Sequence, residues 1–162
     1  MLAEQICTCE EIAQSKFGVV NDNEMLARVV VSPRHFKKNG LDPGVLPISH
    51  MEKIGLSLLR VDYMDEVELT KQANAIAGSI GDGNVVSGVL LARAINVRNG
   101  NSGERENCVF DDPVRAPAVP ENEAHAAALL ARPHDESEIR RLRGELLARL
   151  GSVTPIQNVY NV

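Results

Sequence analysis

Apolar positions along this chain fall into short blocks, and the spacing inside each block predicts its element. Leu2, Ile6, Cys9, Ile12 and Ala13 recur at helical spacing ahead of Gly18, which predicts a first helix over Leu2 to Ser15, with Thr8 and Glu11 as an alternative, later capping box. Met25 to Val31 (MLARVVV) is short and β-branched at its end, so it reads as a buried strand. Ser32-Pro33-Arg34-His35 reads as a helix start, because Ser supplies a capping oxygen and Pro at the first helical position has no N–H to lose. Ser49 with Glu52, closed by Gly55, predicts a single helical turn.

Leu56 to Tyr63 (LSLLRVDY) reads as a strand. Asp65 with Glu68 caps the next helix, whose Leu69, Ala73, Ile76 and Ile80 form one apolar face. Val85 to Ala92 is a strand-like apolar run containing Gly88, and Asn107 to Phe110 a short strand. The prolines of Ala116 to Pro120 predict an extended segment, and the alanine-rich Asn122 to Arg132 a helix ended by Pro133. Asp135 with Glu138 caps a last, amphipathic helix through Leu150, with Glu136/Arg140 and Glu145/Arg149 pairs outside and Gly151 as its stop. The expected fold is α+β, with a small mixed or antiparallel sheet of about four short strands and about four helices. Residues 1–150 are expected to form one domain, with 151–162 an apolar tail suited to strand pairing or partner contact.

The 162 residues suffice to bury a core, and a net charge of −5 disfavours general phosphate neutralisation, leaving only a local basic patch around Arg34, Lys37 and Lys38 for nucleic acid. Aromatics at 3% are too few for a base-stacking platform. No apolar run approaches the ~20 residues that span a bilayer, so no membrane role is expected. Cys7, Cys9 and Cys108 lack zinc or redox-pair spacing and follow no secretory apolar region; free, half-buried thiols in a reducing cytoplasm are the expectation, with no metal and no cofactor.

G-x-x-x-x-G-K-[ST], H-E-x-x-H and G-x-S-x-G do not occur in the sequence, and Gly78, Gly81 and Gly83 follow a helix where a dinucleotide loop would precede one. What remains is positional. His35 and His125 each fall at the third residue of an expected helix, after Ser32 and Asn122 as caps, where free N–H groups favour a neutral ring and bind anions. Arg34 and Arg115 would add charge for the same anion.

Val31-Ser-Pro-Arg-His-Phe36 with Gly55-Leu-Ser57, and Asp111-Asp-Pro113 with Pro120-Glu-Asn-Glu-Ala-His-Ala126, resemble a group of small uncharacterised bacterial proteins that share a D-P...N-P-A-H-A element. The resemblance implies a bacterial α+β domain and singles out His125. Missing catalytic motifs, acidic charge and the apolar tail together point first to a non-catalytic accessory protein of the bacterial cytoplasm that binds a protein partner or itself. The alternative is a metal-independent enzyme with His35 and His125 as acid and base on a phosphorylated or nucleotide-like ligand.

Overall fold

The computed structural model describes residues 7–161, so the Leu2 to Ile6 part of the expected first helix lies outside the described residues. Within them, Thr8–Glu11 is a single 3-10 turn and the chain then reaches β1 through irregular backbone with turns at 15–18 and 21–24. Strand β1 is Met25–Ser32. The helix expected after Ser32 is replaced by a turn into a tight hairpin, β2 (Phe36–Lys37) and β3 (Gly40–Leu41). A helix ending at Asn39-Gly40 has too few turns to nucleate, whereas the hairpin lays Phe36 and Leu41 against the core. His50–Ile54 forms one wide helical turn, although Ser49 makes no capping bond. It is closed by Gly55, whose φ of +104° suits glycine and where an added Cβ would stand 3.2 Å from the Ala127 Cβ.

Strand β4 (Leu56–Arg60) ends earlier than expected, in a 3-10 turn over Val61–Tyr63. Helix α1 (Glu66–Ile80) starts where the sequence places it, the Asp65 carboxylate accepting the Glu68 N–H at 2.8 Å. Strand β5 (Val85–Arg93) runs directly into a short helix α2 (Ala94–Arg98) that no sequence signal announces. Strand β6 is Asn107–Asp111. Residues 116–120 form turns and bends instead of an extended run. The expected alanine-rich helix is strand β7 (His125–Leu130), and helix α3 (Glu136–Leu150) closes the fold with Asp135 as its cap.

The result is α+β, with five antiparallel strands in the order β5-β1-β4-β7-β6 plus the two-stranded hairpin, a larger sheet than expected. β7 sits between β4 and β6, and Ala126, Ala127 and Ala128 are all at most 3% exposed. Alanine prefers a helix by a few tenths of a kcal/mol per residue. A strand walled on both sides offers a full ladder and burial of both faces, and that outweighs the local preference. One face of the sheet carries α3, with Ile139, Leu146 and Leu150 packed against Leu26, Val30, Leu58 and Ala126. The other carries α1, with Leu69, Ala73 and Ala77 against Ala27, Val29, Leu59 and Val89.

Both sheet edges are covered. Along β5, Thr154 and Val89 exchange two backbone bonds of 2.8 Å, while Ile156 and Val159 of the tail pack into the α1 side. A Cβ on Gly88 would meet the Thr154 carbonyl oxygen at 2.4 Å, so glycine is what lets the tail approach. Along β6, the Glu10 carboxylate accepts the Val109 N–H at 2.7 Å, and Cys7 is disulfide-bonded to Cys108. That bond replaces the free thiols expected at both positions; only Cys9 stays reduced among the described cysteines. The Glu136/Arg140 pair forms, but Glu145 pairs with Arg141, and Arg149 reaches inward to Glu106 at 2.8 Å. No helix among the described residues is long and apolar enough to cross a membrane.

Candidate functional site

Six of the expected site residues separate into three places. Ser32 ends β1, and Arg34 and His35 lie in the β1–β2 turn, where the Val31 N–H donates to His35 Nδ1 at 3.0 Å and the Arg34 N–H donates to Asn84 Oδ1 at 3.1 Å. His35 is 7% exposed, and burial beside Arg28 and Arg34 holds its pKa below the usual value. Arg115, on the loop before β7, is spent on Glu123 (2.9 Å) and on the Gln14 carbonyl (2.6 Å). His125 and Asn122 line one cavity. Neither histidine stands at a helix start, because one of those helices is a hairpin and the other a strand. The helix-start rationale for anion binding therefore fails for both, and His35 is not among the residues that line the His125 cavity.

His125 opens β7 and stands opposite Leu59 on the sheet face that α1 covers. Ser57 lies two residues back along β4, on the same face because side chains alternate along a strand. Its Oγ is 2.6 Å from His125 Nε2. On the other side of the ring, Nδ1 is 2.6 Å from the main-chain carbonyl oxygen of Asp112 and 3.6 Å from that residue's carboxylate. A carbonyl only accepts, so Nδ1 carries the proton. Burial is the largest influence on the ring and pushes its pKa down, with the charge of Arg28 acting the same way; Asp112 opposes them. A neutral ring protonated on Nδ1 presents a lone pair at Nε2, and the Ser57 hydroxyl donates to it.

Arg28 holds the serine from beneath, its guanidinium donating to the Ser57 carbonyl at 3.1 Å and to the Val45 carbonyl at 3.0 Å. The cavity above Ser57 and His125 has a volume of about 270 Å³. α1 supplies one wall through Gln72 and Ile76, and the 114–120 loop another through Val114 and Val119. None of its lining residues is an Asp, Glu, Lys or Arg, so it offers a phosphate no cation. Two amide side chains line it. The Gln72 amide donates to Glu68 and to the Glu121 carbonyl. Asn122 accepts the Ala124 N–H at Oδ1 (2.9 Å), but its buried Nδ2 has no partner. An orphaned buried donor costs about 1–3 kcal/mol, which makes Asn122 the anomaly of the site.

Among the described residues no three His, Cys, Asp or Glu side chains gather as a metal ligand set. Ser57 and Asp112 were given no role by the sequence, although the stretches that hold them, Gly55-Leu-Ser57 and Asp111-Asp-Pro113, were singled out there. The fold brings Ser57, Pro120, Asn122 and His125 to one cavity, with the Asp112 carbonyl on the Nδ1 side of the His125 ring. Set against known protein families, curated proteins and solved structures, the chain matches none.

Proposed function

We propose that this protein is a serine-nucleophile acyl-transfer enzyme, with Ser57 as nucleophile and His125 as general base and then general acid. The observation that carries the reading is the pair of bonds on one buried ring, Nδ1 to the Asp112 carbonyl and Nε2 to the Ser57 hydroxyl, both at 2.6 Å. Nε2 takes the hydroxyl proton as Oγ attacks a carbonyl carbon, and returns it to the leaving group when the tetrahedral intermediate collapses. Water then attacks the acyl-serine; one of its protons passes to Nε2 and from there to the departing Oγ, restoring the Ser57 hydroxyl, while the other leaves with the carboxylic acid product. The arrangement needs no sequence elbow, because roles and geometry define such a site.

A fluorophosphonate probe tests the reading. Wild type is expected to gain one adduct, mapped to Ser57, while Ser57→Ala and His125→Ala stay unmodified. An unmodified wild type, or an adduct elsewhere with Ser57 free, overturns it.

A non-catalytic accessory role is the second reading, favoured by Val119, which is 88% exposed at the cavity mouth and suits contact with a protein partner or a second copy. The apolar tail is less suited to that contact than expected, because Ile156 and Val159 are packed on the protein's own core. The Cys7–Cys108 disulfide favours an oxidising compartment over the reducing cytoplasm of the bacterial expectation.

A further inference from the structure

Resting on the serine-nucleophile reading, we infer that Arg28 is a positioning residue of the reaction, an unpaired cation that stands in for missing strand pairing behind Ser57 and acts on the His125 base through its charge. The sheet comes apart at this point. β1 stays paired with β5 as far as Ser32↔Val85, and β4 with β7 as far as Leu56↔Ala128, but the ladder between β1 and β4 ends at Ala27↔Leu59. The Arg60 N–H donates to the Ala124 carbonyl, on the β7 side, so by alternation the main-chain groups of Ser57 and Leu59 face β1. Leu59 has Ala27 opposite it, whereas Ser57 has no β1 residue paired with it. Arg28, the first β1 residue past the last pair, supplies the donor instead, Nη1 reaching the Ser57 carbonyl at 3.1 Å while Nε holds the Val45 carbonyl at 3.0 Å. The nucleophile is thus tied twice, by its hydroxyl to His125 and by its carbonyl to Arg28.

What sets Arg28 apart is its charge. Arg60 and Arg98, the arginines of the interior, each pair with two carboxylates. Arg28 pairs with none among the described residues, since both of its hydrogen bonds go to main-chain carbonyls. Burial pulls its pKa down to about 10, so the guanidinium is still charged at neutral pH. A cation with no counter-charge, in a poorly hydrated position, acts on groups several ångströms away. It acts on His35, His50 and His125, and on each it disfavours a second positive charge. Around the His125 ring Asp112, from the β6–β7 connection, pulls the opposite way, β4 presents the Ser57 hydroxyl, and the residues of α1 and the 114–120 loop that line the cavity carry no charge. A neutral donor would satisfy the two carbonyls as well; what the charge adds falls on the base.

The test is an NMR titration of the His125 ring in wild type, Arg28→Met and Arg28→Lys, the signal being assigned by its loss in His125→Gln, beside single-turnover rates with p-nitrophenyl butyrate and thermal melting of each variant. Removing a cation favours the charged ring, so the His125 midpoint is expected to rise by at least about 0.5 pH unit in Arg28→Met and to stay within about 0.2 in Arg28→Lys, which keeps the charge. The rate on its high-pH plateau is expected to fall at least about tenfold in Arg28→Met, because the Ser57 carbonyl loses its charged donor. Should Arg28→Met fail to fold, Arg28→Gln removes the charge while keeping an amide donor, and the same rise in midpoint is expected. An unmoved midpoint in the folded neutral variant overturns the action of the charge on the base. A plateau within about twofold of wild type in folded Arg28→Met overturns the anchoring of Ser57. Either result, with ester turned over by wild type, leaves the nucleophile standing. A wild type that neither turns over the ester nor takes the fluorophosphonate overturns the nucleophile reading and the positioning role with it.

Discussion

Asp111 and Asp112 are neighbours in the chain and belong to polar clusters of opposite character. Asp111 is fully buried and accepts from the Gln14 N–H, the Ser15 N–H, the Ser15 hydroxyl and Arg60. Arg60, also fully buried, spends its whole guanidinium fork on Glu24, Asp111 and the carbonyls of Gly18 and Val19. Tyr63 closes the cluster on Glu24 at 2.9 Å. Asp112, one residue on, meets the His125 ring instead, its carbonyl 2.6 Å and its half-exposed carboxylate 3.6 Å from the Nδ1 of a histidine whose pKa burial lowers. Satisfied polar clusters specify a single structure and leave nothing for a ligand to complete. The second cluster keeps a half-exposed carboxylate and a histidine whose Nε2 meets a single hydroxyl, and the first anchors the residue next to it.

The comparison breaks most easily at Arg60. Arg60→Met leaves the carboxylates of Glu24 and Asp111 buried without their cation, and loss of one partner of such a cluster costs about 3–5 kcal/mol. A urea midpoint shifted by the equivalent of that loss is expected. A change under about 1 kcal/mol would mean that the network is no more structural than the cavity.

How much of this the sequence carries depends on how local each signal is. The Asp65/Glu68 and Asp135/Glu138 boxes place α1 and α3 correctly because the capping carboxylate and the N–H that donates to it lie three residues apart. β7 is misjudged from sequence because nothing within Ala124 to Ala131 records that β4 and β6 will flank it. The same non-locality hides the site. His125 stands out on its own, but Ser57 is 68 residues away and shows its role only once β4 and β7 are in register. The missing partner of Asn122 Nδ2 is a property of packing, with no counterpart in composition or spacing.

A gentler probe is pH. His125 serves as base only while neutral, and burial and Arg28 hold its pKa below the ordinary 6.5 despite the opposing pull of Asp112. Acylation of Ser57 is therefore expected to be flat above neutrality and to fall about tenfold per pH unit once below a midpoint under 6.5. Single-turnover rates with p-nitrophenyl butyrate across that span measure it. A midpoint above 6.5 would mean that the Asp112 charge outweighs desolvation, and would make this cluster an ion pair like its neighbour.

The smallest expected effect separates the two parts of Asp112. Its main-chain carbonyl, 2.6 Å from Nδ1, sets the tautomer, and no side-chain substitution removes it. The carboxylate is 3.6 Å away and 45% exposed, the situation in which an ion pair contributes about 0–1 kcal/mol. Asp112→Asn is thus expected to lower kcat by less than about tenfold. It should also move the pH midpoint further down, because a group that favours the charged ring has been removed. Where a buried carboxylate sets the tautomer, the same exchange costs about 10⁴-fold. A loss of that size here would show that the carboxylate swings in during turnover and takes the ring over from the carbonyl. A small loss with a lowered midpoint would show that the backbone of the β6–β7 connection orients the base, which ties the chemistry of Asp112 to the rigidity anchored at Asp111.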